Sequence, residues 1–182
     1  MLAPLVVSSQ NAVGAALRVL RAAYRRLRCR LCYRIEVQSP QALRPAARAE
    51  LELLLTTAHG ALDHASLFRD TDRLYTAMHR NQTVACVFTR SIDWNSENAG
   101  RHICNVRALS VLPQHRRQGL AARLLTRVKS DAARDNAAWL ELHVDEKRDR
   151  SHECLLAMYR KMGFMVLPRP QKAEYLLLCM DY

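Results

Sequence analysis

Residues 109–121 combine an apolar strand pattern, a polar turn and the start of a helix, and this combination suits the binding of an anion. The segment reads Leu-Ser-Val-Leu-Pro-Gln-His-Arg-Arg-Gln-Gly-Leu-Ala. In such a turn, successive backbone N–H groups and the positive end of the helix dipole point at one spot. Gly119 would let the backbone come close to the ligand. The segment therefore predicts a pyrophosphate site.

The spacing of residues within the turn distinguishes between the known classes of phosphate-binding loop. Neither Gly-Lys-Ser/Thr nor Gly-x-Gly-x-x-Gly occurs, so a P-loop and a Rossmann fingerprint are excluded. Arg116-x-x-Gly119-x-Ala121 instead resembles the acetyl-CoA loop of the GNAT superfamily of N-acetyltransferases. Downstream, Trp139–Val144 is an apolar strand pattern, and the helix after it ends Met-Tyr-Arg-Lys-Met-Gly-Phe, similar to the family's Leu-Tyr-x-Lys-x-Gly-Phe. The two motifs occur in the family's order.

The resemblance implies how acetyl-CoA is held. Main-chain groups of Leu109 and Val111, on either side of Ser110, are expected to pair with the pantetheine arm as an added strand would. The turn and the first helical residues are expected to surround the pyrophosphate with N–H groups, and the two arginines add charge: Arg116, Arg117, Gln118, Gly119, Leu120, Ala121 and Ala122. His152 replaces an asparagine that usually supports the cofactor arm.

Acetyl transfer to an amine also needs a proton for the departing thiolate. Tyr159 falls where the family places a tyrosine beside the thioester sulfur, so the resemblance implies that it is the general acid. An ordinary half-buried helix tyrosine is the alternative interpretation. The Met-Tyr-Arg-Lys-Met-Gly-Phe context favours the catalytic one.

The acceptor amine must lose a proton, and strands four and five offer candidates for its removal. Strict alternation places His143 on one face of strand five with Trp139 and Glu141, opposite the apolar residues. A histidine side chain titrates near neutrality and suits a base that acts through water, although a packed strand histidine is also common. Asn105 stands where several relatives carry Glu or Tyr. It cannot act as a base but can orient a water, which leaves His143, His102, Glu141 or solvent as the proton route.

The function implied is acetyl-CoA-dependent N-acetyl transfer by direct attack of a primary amine in a ternary complex. Leu142-His143-Val144 also resembles strand five of protein N-terminal acetyltransferases, and a short segment with Pro168 and Pro170 leaves one side of the cleft open. Both features favour a protein or peptide amine, at an N-terminus or a lysine. A small amine, such as a polyamine, aminoglycoside or amino acid, remains an alternative. Asn105 and His152 keep open a non-catalytic acyl-CoA-binding module.

The elements that must position these residues follow from the apolar patterns. The resemblance implies an α/β GNAT fold for residues 31–182, with a mixed central sheet of about seven strands and about four flanking helices. Strands four and five are expected to splay apart and open the acetyl-CoA cleft. The strands are predicted near residues 32–37, 74–79, 83–91, 103–111, 138–144, 164–167 and 175–180, with a hairpin around Asn81 and Gln82. Helices are predicted near residues 41–58, 119–133 and 151–162, and residues 60–72 are predicted as a loop with a short helix.

Charge and cysteine content limit the partners and the cellular environment that the sequence predicts. The 182 residues carry 28 Lys and Arg against 17 acids, but seven arginines precede the first acid, Glu36, so the remaining 21 basic residues exceed the acids by only four. This predicts a basic N-terminal extension over residues 1–30, ahead of a mildly basic domain, and makes nucleic-acid binding an unfavoured interpretation. Six scattered cysteines, with Cys29 and Cys32 as a lone pair, predict no metal site and reduced thiols inside the cell.

Within the extension, residues 13–31 repeat apolar residues at helical spacing beside a stripe of arginines. This amphipathic basic pattern is typical of a helix packed on the domain, of a helix at an anionic membrane surface, or of a mitochondrial transit peptide. No apolar run approaches the ~20 residues that span a bilayer. A cytoplasmic location is expected, with the mitochondrion as the alternative.

Overall fold

The computed structural model describes residues 14–20, 23, 32–60, 64–93, 102–145, 152–169 and 174–179. Seven strands form one mixed sheet in the order β1-β2-β3-β4-β5-β7-β6, in agreement with the predicted number. Their bounds are β1 Arg34–Gln38, β2 Arg73–His79, β3 Gln82–Asp93, β4 His102–Val111, β5 Ala137–Asp145, β6 Met165–Arg169 and β7 Glu174–Cys179. Among the strands of the described residues, only β4 and β5 pair in parallel, and the other neighbouring pairs are antiparallel.

In the described part of the chain, four α-helices cover the two faces of the sheet: α1 Pro45–His59, α2 His64–Arg69, α3 Leu120–Arg134 and α4 His152–Lys161. Leucines of α1 and α2 pack with Phe68 and Phe88 in one buried cluster. Buried residues of α3 and α4 pack with Leu140, Leu142 and Val144 of β5 in the other. The alternation predicted for β5 is therefore confirmed, since its apolar face is buried while His143 on the opposite face is exposed.

The first predicted helix begins later than the sequence pattern indicated. Residues Pro40–Ala42 form a separate turn of 3₁₀ helix, Leu43 and Arg44 are extended, and α1 starts at Pro45. Proline disfavours the helical conformation in the residue before it and suits the first position of a helix. The prediction of one helix over residues 41–58 was wrong for this reason.

The hairpin between β2 and β3 is one residue away from its predicted position. Its two turn residues are Arg80 and Asn81, with φ of 51° and 63°. His79 and Gln82 pair directly across them. Two consecutive positive φ values match the right-handed twist of a hairpin, and asparagine tolerates the left-handed region that they require.

Strands β4 and β5 separate partway along their length, as predicted. Their parallel ladder runs from His102 and Ala137 to Val106 and Leu142 and then ends. On the other edge of β4, Phe88 pairs with Ala108 and Thr89 with Val106, which leaves Arg107 as an extra residue. Such a bulge bends its strand. The bend of β4 thus coincides with the end of its ladder to β5.

Only part of the predicted N-terminal helix lies within the described residues. Residues 14–20 are helical, and Leu17, Val19 and Leu20 are 48%, 68% and 65% exposed. None of the helices in the described ranges has both the length and the apolar character that crossing a membrane requires. Cys32, Cys86, Cys104 and Cys154 are free thiols, and no cluster of metal-ligating side chains occurs in that part of the chain.

Candidate active site

The predicted pyrophosphate loop is a strained turn that ends at the first residue of α3. After a 3₁₀ turn over Pro113–His115, Arg117 has a φ of 60° and Gly119 a φ of 82°. Alternating signs of φ turn successive N–H groups toward one concavity, which is how backbone nests bind anions. A Cβ atom built on Gly119 would meet nothing within 4 Å, so the space beside this residue is open. Loop geometry and dipole therefore fit a pyrophosphate.

Beside this loop, the end of β4 has an edge that pairs with no strand in the described residues. Leu112 donates its N–H to the carbonyl of Val84 at 2.9 Å, so the main-chain groups of Leu109 and Val111 point the other way, toward β5. Because the β4–β5 ladder ends at Val106, this edge pairs with no strand in the described part of the chain. It can accept an extended ligand that carries amide groups.

Two side chains near this edge are engaged by the protein itself. Arg116 donates from Nε to the carbonyl oxygen of Val111 at 3.0 Å, which places its guanidinium between the strand edge and the loop. Ser110 is 2% exposed, and its hydroxyl lies 2.6 Å from His59 Nε2, at the end of α1. Ser110 thus ties β4 to α1 on the far face, and only its main chain belongs to the cleft.

The polar candidates on β4 and β5 form one hydrogen-bonded chain where the strands begin to separate. Asn105 donates from Nδ2 to Glu141 Oε1 at 3.0 Å, and His143 Nε2 lies 3.2 Å from the same oxygen. Asn105 is buried, while 20% of the Glu141 side chain and 38% of the His143 side chain are exposed. An ionised carboxylate only accepts hydrogen bonds, so a bond between these two side chains is donated by His143 from Nε2.

Tyr159 is held on the opposite face of the sheet by the end of α4. Phe164 donates its N–H to the carbonyl of Tyr159 at 3.1 Å, Gly163 donates to that of Arg160 at 3.1 Å, and Gly163 has a φ of 86°. These two bonds form a Schellman motif, whose typical apolar contact is the Tyr159–Phe164 ring pair with centroids 5.5 Å apart. Tyr159 is 6% exposed within the cluster that includes Leu142 and Val144.

The remaining predicted residues lie at the starts of α3, α4 and β4. Leu120, Ala121 and Ala122 form the first turn of α3, and His152 is the first residue of α4. His102 is at the start of β4, at the far end of the ladder from the point where the strands separate. The structure thus brings Asn105, Glu141 and His143 together and leaves His102 away from them.

Sequence reasoning missed the residues that support the loop from behind. The hydroxyl of Tyr33 donates to Gln118 Oε1 at 2.8 Å and lies 3.0 Å from His115 Nδ1. Arg123 of α3 donates from Nη1 to the carbonyl oxygen of Tyr33 at 2.7 Å. Because these contacts join residues 82 to 90 positions apart, no local pattern marks them. The carboxylate of Glu141 was visible from strand alternation, but its bond to Asn105 was not.

Comparison with known proteins agrees with this geometry. A family model for the acetyltransferase (GNAT) domain matches residues 70–166, just over half of the chain. A comparison with curated protein sequences gave no significant match.

Several solved structures share the fold at low identity. Naa50 of Arabidopsis thaliana, in complex with the bisubstrate analogue CoA-Ac-MVNAL, is 18% identical at a TM-score of 0.60 and covers 79% of this chain and 97% of its own. NAA60 of the same plant, with acetyl-CoA, is 14% identical at a TM-score of 0.64, with coverage of 81% and 100%. A GNAT family acetyltransferase from Elizabethkingia anophelis with acetyl-CoA bound is 16% identical at a TM-score of 0.60, with coverage of 83% and 99%.

The family match begins just before β2 and ends in β6. It therefore includes both strands that separate, the loop between β4 and α3, and the helix that carries Tyr159. The chain belongs to the GNAT family of acetyltransferases.

Proposed function

We propose that this protein transfers the acetyl group of acetyl-CoA to a primary amine of a peptide or protein. The observation that carries the proposal is that the two candidate proton-transfer groups lie on opposite faces of the sheet. The Asn105–Glu141–His143 chain lies on the α1 side, and Tyr159 lies on the α3 and α4 side. A thioester bound along this edge of β4 would have an amine on one side and an acid on the other.

In the proposed reaction, the acceptor arrives as an ammonium ion and loses a proton before its nitrogen attacks the thioester carbon. His143 accepts this proton through a water molecule. Glu141 stabilises the imidazolium that forms, because its Oε1 lies 3.2 Å from Nε2. Asn105 fixes that carboxylate oxygen from β4. Acetyl-CoA supplies the activated acetyl group, and the main chain of Leu109 and Val111 orients it.

The leaving group receives its proton from the other face. As the C–S bond breaks, the phenolic proton of Tyr159 passes to the sulfur, so CoA departs as a thiol. The attacking nitrogen loses its second proton to solvent, and Tyr159 regains a proton from solvent. The products are an amide, the free thiol and one proton released from the original ammonium ion. No covalent intermediate on the protein is required.

A peptide acceptor is favoured over a small amine by the exposure of the proton-accepting chain. His143 and Glu141 are partly exposed on a sheet face, so a bulky acceptor can reach them. The Glu141 carboxylate provides a negative charge beside the approaching ammonium ion. Naa50, which has a similar fold, is described in complex with an analogue that contains a peptide, and this supports the same class here.

The test measures thiol release from acetyl-CoA with matched concentrations of peptides with free N-termini, acetyl-capped lysine peptides, and polyamines. We expect release with one of the two peptide classes and its loss in Tyr159→Phe. Release with polyamines alone would contradict the acceptor class. Binding of acetyl-CoA without release on any amine would favour the non-catalytic module.

We further propose that the N-terminal extension contacts an anionic membrane surface. Leu17, Val19 and Leu20 are exposed on a helical stretch, and seven arginines precede the first acid of the chain. Apolar side chains flanked by arginines suit a helix lying in the lipid headgroup region.

A further inference from the structure

The residue Tyr33 joins three parts of the structure behind the proposed pyrophosphate loop. It is 4% exposed and directly precedes β1. Its hydroxyl donates to Gln118 Oε1 and lies 3.0 Å from His115 Nδ1, and its carbonyl accepts a hydrogen bond from Arg123 of α3. One residue therefore contacts the start of the loop, its end and the first turn of the helix that follows.

The contacts of the Tyr33 hydroxyl define the direction of each hydrogen bond. Since the phenol gives its one proton to Gln118 Oε1, it accepts from His115, which then carries hydrogen on Nδ1. The imidazole rings of His79 and His115 surround the phenol, with centroids 5.1 Å and 5.8 Å from its ring. The hydroxyl is thus held in a fixed place by both packing and hydrogen bonds.

The loop needs such support because its backbone is strained. Arg117 has a φ of 60°, a left-handed conformation that is unfavourable for a residue with a Cβ atom. Strained conformations persist only where the surroundings impose them. Gln118 lies between the strained Arg117 and Gly119, and its side chain is turned back to Tyr33. Its backbone is thereby fixed relative to β1 and α3.

We propose that Tyr33 is a positioning residue for acetyl-CoA, which holds the loop in the conformation that binds the pyrophosphate. This inference rests on the proposed role of the loop in cofactor binding and not on the acceptor. Without the hydroxyl, the loop adopts the binding-competent conformation only part of the time. The apparent affinity for CoA then falls in proportion to that fraction. Tyr33 does not touch the reacting atoms, so the chemical step is unaffected.

The test compares Tyr33→Phe with Tyr75→Phe. Tyr75 is 1% exposed in the same buried cluster, and its phenol interacts with Arg73, away from the loop. Both variants lose one partnered buried hydroxyl, so both should lower Tm. We expect only Tyr33→Phe to raise the Kd for CoA in calorimetry, by about tenfold, or ~1.4 kcal/mol. With an active acceptor, KM for acetyl-CoA should rise while kcat is retained.

A second pair of variants keeps the test decisive if Tyr33→Phe folds poorly. Gln118→Ala removes the other partner from a half-buried position while preserving the backbone N–H. It should also raise the Kd, and the double variant should be no weaker than the weaker single variant. Unchanged CoA affinity in both single variants, or an equal rise in Tyr75→Phe, would overturn the proposal. Because CoA binding is the readout, a protein that binds CoA but acetylates no amine leaves this result intact.

Discussion

At the scale of single residues, the division of labour between Tyr159 and His143 is open to a direct kinetic test. Tyr159→Phe retains the ring contact with Phe164 and removes only the proton donor. We expect kcat to fall by roughly 10²-fold or more, the usual contribution of a positioned acid, with little change in the Kd for acetyl-CoA. Steady-state kinetics and calorimetry on one preparation would check this.

A companion substitution on the other face of the sheet tests the second half of this division of labour. His143→Asn should also lower kcat, and Glu141→Gln should lower it less, since the amide oxygen of glutamine can still accept the bond from His143. Wild-type rates in Tyr159→Phe would remove this residue from the mechanism. Wild-type rates in His143→Asn would instead leave solvent as the base.

Two buried cysteines provide a second prediction at this scale. Burial raises the pKa of the Cys86 and Cys104 thiols to about 12. Both therefore stay neutral at pH 8, and a neutral thiol does not attack a thioester or an alkylating reagent. We expect iodoacetamide to modify the exposed Cys32 and Cys154 in the folded protein and to spare the two buried thiols until urea is added. Peptide mass spectrometry would measure this.

The same raised pKa values predict the direction of a stability change. In the unfolded chain these thiols ionise near their ordinary pKa of about 9, while the fold keeps them protonated up to about 12. The unfolded state thus binds fewer protons between those values, so the free energy of unfolding should fall as pH rises from about 9 to 12.

In the alkylation experiment, early modification of Cys104, the neighbour of Asn105, would show that β4 opens more readily than its burial implies.

At the scale of elements, the turn before α3 can be tested against another glycine. Gly119 and Gly60 have φ of 82° and 77°, and a Cβ atom at either would meet nothing within 4 Å. Alanine should destabilise the protein at both sites by about 1 kcal/mol or more, because both backbone conformations disfavour a side chain. Only Gly119→Ala should weaken CoA binding, since its methyl group enters the open space beside the loop. Equal CoA affinities in the two variants would contradict the assignment of the loop.

Local patterns predicted most of these elements, and the misses have identifiable causes. The apolar alternation of β5 and the Met-Gly-Phe ending of α4 could be read directly, because strand period and a left-handed glycine cap are local properties. The start of α1 was misplaced because Pro45 overrode a continuous apolar pattern. The ties from Tyr33 to the loop and from Ser110 to His59 depend on tertiary contacts across more than 50 residues, which no local pattern encodes.

At the scale of the whole molecule, charge is distributed unevenly along the chain. The segment before Glu36 has seven arginines and no acid, while the remaining 21 basic residues exceed the acids by four. The three solved structures described above cover 79–83% of the chain. A basic segment attached to a nearly balanced domain can bring an enzyme to an anionic surface without altering its cleft.

Removal of residues 1–30 should therefore separate binding to a surface from binding of CoA. We expect the full chain to sediment with phosphatidylserine vesicles and not with phosphatidylcholine vesicles, and the truncated chain to do neither. The Kd for CoA should be unchanged, because β1 and Tyr33 are retained. High salt should weaken the vesicle binding, as expected for screened charges.

Substitutions in the full-length chain distinguish apolar insertion from simple charge attraction. Leu17→Ser with Leu20→Ser should lower vesicle binding by about tenfold or more, because each inserted leucine contributes on the order of 1.5 kcal/mol or more. Leu53→Ser is the matched control, since Leu53 is 68% exposed on α1 and lies outside the extension. If the leucine pair can be replaced without loss while vesicle binding remains salt-sensitive, the arginines act alone and the helix does not insert. Vesicle binding that survives removal of residues 1–30 would place the contact on the domain instead.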